Sequence, residues 1–311
     1  MTIYNNSVLD PPKFLRPCIN ISPFQKVNSV APSEDYSSSL KKIEDYFFSI
    51  YPDMRLVMTH TGRAALKCAL CDLRLRRSDE VAILTTSGNY YVSSCVTDTI
   101  ESVCKWTRHI SACTSAVVVI DEFGFPFKEL KEVIGMGIPV IEDRAHGFFL
   151  DDRFSSDVDY VVYSFPKALP VQLGGALLIR QNSESELAFA GDEFISYIAR
   201  NSAVHFDHIS DIKEKRISNY CYFSKAIEHF GMSVRFSLED GVVPGVFMFN
   251  TTEALDLDRM KLRFQANGVE ASIFYKEKAF FFPVHQNLSE GERELILNLI
   301  RSCLEGNYGD F

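Results

Sequence analysis

Apolar side chains recur along this chain in two rhythms. Continuous blocks of β-branched and aromatic residues stand at 81–86 (VAILTT), 116–120 (AVVVI), 138–141 (IPVI), 160–163 (YVVY) and 176–179 (ALLI). Such blocks predict strands buried on both faces. Between them the spacing turns helical. Leu40, Ile43, Phe47 and Phe48 predict a helix over 37–50, and the run from Ala64 to Leu70 predicts one within 60–75, with Thr61 as its N-cap. A short strand is expected at 55–59, a turn at Ser87-Gly88-Asn89 leading into a helix that ends at Glu101, and a further helix at 127–137. Strands separated by helices predict an α/β fold, a mostly parallel sheet covered by helices on both faces.

Beyond position 213 the pattern changes. A long helix at 214–230 is followed by a strand at 242–250, a helix from 257 that stops at Asn267-Gly268, a strand at 280–285 and a capped amphipathic helix at 288–304. This predicts a smaller C-terminal α+β domain, 213–311, after a large domain, 1–212, that carries an irregular N-terminal arm, 1–35. Residues 181–211 show no clear strand and are expected to be loop and helix near the junction.

Composition narrows the function classes. The chain has 311 residues and a net charge of −9, which gives no electrostatic footprint for nucleic acid or anionic lipid. No signal peptide and no apolar run of membrane-spanning length is expected, so a cytoplasmic protein is. The eight cysteines are scattered, which suits reduced thiols, and Cys68 and Cys71 fall inside an apolar helical pattern. His205, Asp207 and His208 are not completed to a metal set, and no metal is expected.

Candidate chemistry gathers just past the strand ends. Lys167 stands in a turn between two buried strands, where a charged amine is costly and a neutral or covalently engaged one less so. Asp143, His146 and Ser164 also follow strand ends, so all four can converge at the carboxyl edge of the sheet. Arg63 occupies the first turn of its helix, where the dipole favours an acid; an anion bound at that helix start explains it. Taken singly, each has a plainer reading. Asp143 suits a turn cap, His146 a satisfied buried histidine, Lys167 and Arg63 solvated surface, and Tyr90 or Tyr91 core.

Four segments stand in one order: TGRAAL, AVVVIDEFGFP, IEDRAH with SFPKALPVQLGG, and FFFPVHQNLSEGE. In that order they resemble the DegT/DnrJ/StrS family of pyridoxal phosphate-dependent sugar aminotransferases, of the aspartate-aminotransferase (type I) fold, over 36–304. The resemblance implies Lys167 as the Schiff-base lysine and proton shuttle, and Asp143 as partner of the pyridine nitrogen. It implies His146 beside the cofactor's 3-hydroxyl. Thr61, Gly62, Arg63 and Ser164 would form the phosphate cradle, and Tyr90 or Tyr91 would stack on the ring. It also implies a homodimer that moves an amino group from a donor such as glutamate onto a nucleotide-linked keto-sugar, for surface polysaccharide such as lipopolysaccharide. Two alternatives stand beside it: a sugar dehydratase of the same family, where histidine replaces the lysine, and a catalytically silent relative. The sequence departs from the family pattern in three ways. Lys167 follows Ser164 more closely, the chain is shorter, and 181–211 has no match to the segment through which a neighbouring subunit completes the site.

Overall fold

The computed structural model describes residues 19–24, 35–150, 157–180, 192–253 and 255–306. Its larger sheet has seven strands: β1 (Met54–Thr59), β2 (Glu80–Thr85), β3 (Lys105–Thr107), β4 (Thr114–Ile120), β5 (Val140–Asp143), β6 (Tyr160–Ser164) and β7 (Gly175–Arg180). They lie in the order β1-β7-β6-β5-β4-β2-β3. Only β7 runs against its neighbours; the other pairs are parallel. The carboxyl ends of β1, β2, β4, β5 and β6 therefore share one edge.

Alternation along each strand divides the core in two. On one face Val117 and Val119 pack with Ile43 and Phe47 of α1 (Tyr36–Ile50). On the other, Ala116 and Val118 pack with Leu66 and Leu70 of α2 (Gly62–Asp72) and Ile100 of α3 (Ser94–Glu101). The two-residue period of a pleated strand covered on both faces accounts for this division. The expected fold class is borne out.

Several elements differ from the pattern. The helix after the Ser87-Gly88-Asn89 turn starts only at Ser94, because side chains hold the intervening backbone: the Ser87 amide donates to Glu122 Oε2 and the Tyr91 amide to Asn89 Oδ1. The helix expected over 127–137 shortens to α4 (Leu130–Ile134). The three-residue β3 had no legible signal, being a partly exposed edge. The lysine turn is itself helical, a single turn α5 (Phe165–Ala168).

Helix α6 (Glu193–Ala203) covers the α1 face, and α7 (Ile209–His229) leads to the second sheet. That sheet is antiparallel, ordered β10-β11-β9-β8, from β8 (Ser233–Val234), β9 (Val246–Asn250), β10 (Ser272–Phe274) and β11 (Ala279–Pro283). It packs with α8 (Leu257–Ala266) and α9 (Glu290–Leu304), whose Ser289 and Glu292 form the capping box. Gly268, with φ of 77°, ends α8 as its position after Asn267 suggests. Within the segment assigned to the N-terminal arm, Ile19 and Ile21 bury in this second core, and Ile19 bridges Val269. The rest of the arm, apart from Asn20, 22–24 and Asp35, lies outside the described residues. Among the described residues no helix is long and apolar enough to cross a membrane.

Candidate active site

The site is built where β1, β6 and β7 meet. Both β1 and β6 pair with β7, so Thr59 and Ser164 face Gly175 from opposite sides. Gly174 and Gly175 carry no side chains to keep the flanking chains apart. A Cβ on Gly175 would lie 2.6 Å from the Thr61 carbonyl carbon, and Gly174 has φ of 121°. Only glycine fits both positions. Thr61 bridges Gly174, and its hydroxyl accepts the Ala64 amide as N-cap of α2. Gly62, the first residue of α2, lies against Ser164, at the end of the helix whose amides are free.

Thr61, Gly62, Ser164 and Gly174 line a cavity of about 430 Å³ together with Arg63, Asp143, His146 and Lys167. Ile120 and Val162, the register partners of Asp143 on β4 and β6, lie on either side of it and also face the cavity. Asp143 is buried, and its Oδ1 accepts the Ala145 amide at 2.9 Å. Burial pushes its carboxyl up to about 6, against the pull of that amide and of the Lys167 charge. His146 is held well below the ordinary histidine range, first by burial and then by the charges of Lys167 and Arg216, so its imidazole is neutral at pH 7. Its Nδ1 is buried and has no hydrogen-bond partner, and a Cβ on Gly245 would lie 2.8 Å from it.

Part of the cavity wall is aromatic: Phe123, Phe274 and Phe281. Phe123 has φ of 55°, a region that non-glycine residues seldom occupy, and its carbonyl accepts the Gly245 amide at 2.6 Å. Its ring lies 5.4 Å from His146. A backbone outlier fixed in this way beside a cavity is a feature of functional sites.

No known protein-family model matches this sequence, and no curated protein sequence matches it. Solved structures do match in shape. The aminotransferase TlmJ of Streptoalloteichus hindustanus superposes with a TM-score of 0.66 at 15% identity, covering 89% of this chain and 97% of that one. A DegT DnrJ EryC1 StrS aminotransferase of Brucella abortus gives 0.67 at 14%, covering 88% and 91%. DesI, solved in the presence of its TDP-sugar product, gives 0.70 at 14%, covering 87% and 86%. The chain has the fold of these aminotransferases.

Within that fold the structure gathers Thr61, Gly62, Arg63, Tyr91, Asp143, His146, Ser164 and Lys167 around one cavity. Tyr90 is not brought there. It is 58% exposed, its hydroxyl is 3.5 Å from His109 Nε2, and Lys276 Nζ lies 4.7 Å over its ring. The two tyrosines are adjacent in sequence, but Tyr91 lines the cavity and is the one available as a platform. His205, Asp207 and His208 lie elsewhere, and no group able to hold a metal occurs among the described residues.

Sequence reasoning missed the aromatic wall and Arg216. Phe281 falls in the strand expected at 280–285 and Phe123 in the AVVVIDEFGFP segment, but nothing in the sequence pattern marks either of them, or Phe274, as cavity lining. Arg216 left a usable signal: Ile212, Arg216, Asn219, Tyr220, Phe223 and Ile227 follow the helical stripe that buries α7. A charged residue on such a stripe needs partners, and it lies beside the lysine turn.

Proposed function

We propose that this chain is a pyridoxal phosphate-dependent aminotransferase acting on a keto-sugar. The convergence of Lys167, Asp143 and the amino end of α2 on one cavity carries this reading. The residues fit the group: free helix amides with Gly62, Arg63 and Ser164 for an anion, a buried carboxyl, an amine, and a flanking tyrosine.

When bound, the cofactor supplies a ring that takes up electrons from the carbon bearing the amino group. The chain's own residues then have distinct tasks. Asp143, as carboxylate, would hold a proton on the ring nitrogen, and a cation there would favour its ionised form. Lys167 Nζ anchors the cofactor and moves the proton on the substrate carbon. His146, neutral, would stand beside the bound ring without adding charge. Phe123, Phe274 and Phe281 would keep water from that part of the cavity.

The finer reading is a nucleotide-linked keto-sugar acceptor, glutamate as donor, and a cytoplasmic homodimer serving surface polysaccharide. The similarity in fold to DesI, which makes a TDP-sugar, supports the acceptor. The seven described cysteines are free, which suits a reducing compartment. Lysine rather than histidine at position 167 favours amino transfer over dehydration.

The test is an absorption spectrum of the protein with cofactor, between about 320 and 450 nm, before and after glutamate, beside Lys167→Ala. A lysine-bound band in the wild type, converted by glutamate and missing in the variant, supports aminotransfer. No band at all would make the chain a silent relative.

A further inference from the structure

Arg216 on α7 is among the largest fully buried side chains, 1% exposed, yet among the described residues no carboxylate pairs with it. An unpaired buried cation is costly unless its donors are satisfied. They are. Nε donates to Gln286 Oε1 at 2.9 Å, Nη1 to the Pro244 carbonyl at 3.3 Å, and Nη2 to the carbonyls of Lys167 at 3.1 Å and Ala168 at 3.2 Å. Gln286 Nε2 donates to Ala168 as well, at 3.1 Å, and the Phe149 ring lies 5.4 Å from the guanidinium carbon. Burial pushes the guanidinium down to about 9, which leaves it charged at neutral pH.

The turn needs this help. With four residues, α5 can close little of its own hydrogen bonding, and its carbonyls are left for other donors. The Phe165 carbonyl accepts the Leu169 amide and the Pro166 carbonyl the Ser22 hydroxyl. The remaining two, Lys167 and Ala168, fall to Arg216 and Gln286. A cation at the carboxyl end of a helical turn is also placed where the backbone dipoles favour it.

We propose that Arg216, with Gln286, is a positioning residue that clamps the short turn carrying Lys167, so that residues of the second sheet's domain hold the amine at the cavity. This rests on Lys167 being the cofactor's lysine, and the test separates the two claims. Arg216→Gln and Gln286→Met are made in the full chain, and hydrogen exchange of the peptide 164–171 is read without cofactor. Pyridoxal phosphate is then added, and the rate of borohydride trapping at Lys167 and the visible circular dichroism are read.

We expect near wild-type melting, faster exchange confined to 164–171, trapping on the order of 100-fold slower, as a displacement of about 1 Å can cause, and a lost dichroic band. If a folded variant exchanges and traps as the wild type does, the clamp is wrong. Faster exchange with unchanged trapping and dichroism would reduce Arg216 to a structural contact and also overturn it. Should Arg216→Gln not fold, Gln286→Met decides by the same readouts. Failure of the wild type itself to trap at Lys167 removes the cofactor reading, while exchange still decides whether the clamp exists.

Discussion

Gly62 and Ser164 meet with no room for a methyl group: a Cβ on Gly62 would lie 2.8 Å from the Ser164 Cβ. Ser164 pairs with Gly175 of β7 and Thr61, next to Gly62, bridges Gly174, so neither backbone can retreat as the tip of a flexible side chain could. Gly62→Ala is expected to cost about 1–3 kcal/mol, the usual range for overpacking. The cost should shrink when the same change is made in a Ser164→Gly background, which removes the opposing carbon. Urea titrations of the four proteins in that cycle measure the coupling; a cost that is unchanged by Ser164→Gly would mean that the contact is not the cause.

Asp143 makes stability without cofactor depend on pH in a defined direction. Burial holds its carboxyl up to about 6 in the folded protein, above the ordinary aspartate value of about 3.9. A raised carboxyl favours the folded state most below the unfolded value, and that contribution is lost as pH rises through the folded one. Asp143→Asn, which is never ionised, should therefore be more stable than wild type at pH 8, by up to about 3 kcal/mol at 1.36 kcal/mol per unit. The advantage should fade as pH drops from about 6 towards 4. Melting curves of the two cofactor-free proteins across that interval check it, and a constant difference would contradict it.

Most of the scaffold was legible before the structure, and the reason is physical. The buried strands β2, β4, β5, β6 and β7 are continuous apolar blocks, Gly174 and Gly268 take positive φ, and Gly175 sits where a Cβ would strike the Thr61 backbone. Lys167 and Asp143 were legible because charged groups at or just past the ends of such strands are conspicuous. What stayed hidden depends on side chains distant in sequence. Nothing local reveals that Phe274 of β10 faces the same cavity as Phe123, or that Arg216 reaches the Lys167 carbonyl. The choice between Tyr90 and Tyr91 likewise turns on the route of 86–93, which Glu122 and Asn89 fix through hydrogen bonds rather than by periodicity.

A buried charge cluster, whose Asp121 also lines the cavity, joins the ends of β4 and β5. Arg144 Nε lies 3.0 Å from Glu142 Oε1 and 3.5 Å from Asp121 Oδ2, with all three side chains essentially inaccessible. Burial, and then the Glu142 charge, push the Asp121 carboxyl well above the ordinary carboxylate range. Arg144→Met should cost about 3–5 kcal/mol, because two buried carboxyls lose their cation. Without it both carboxyls are forced further towards the neutral form, so stability is lost as pH rises through their folded values. The penalty should therefore be larger at pH 8 than at pH 5, and adding Glu142→Gln should return part of it. Chemical denaturation at the two pH values is the measurement; a penalty that does not change with pH would contradict this account.

Tyr91 and Tyr90 offer the sharpest local contrast. Tyr91 lines the cavity, with Tyr275 5.9 Å and Phe274 6.3 Å from its ring, so it belongs to an aromatic group that can flank a bound ring. Tyr90 lies outside, between Lys276 and Arg108. An aromatic pair contributes about 0.5–1.5 kcal/mol beyond burial. Tyr91→Ala should thus weaken pyridoxal phosphate binding by about 2- to 12-fold, at 1.4 kcal/mol per factor of ten, and Tyr91→Phe should keep most of the affinity because the ring remains. Tyr90→Ala should leave affinity unchanged, since its ring touches cations outside the cavity rather than the cavity itself. Equilibrium titration of the cofactor-free variants distinguishes them. If Tyr90→Ala weakens binding and Tyr91→Ala does not, the ring is held from the other side of the 86–93 segment, and the assignment of Tyr91 is reversed.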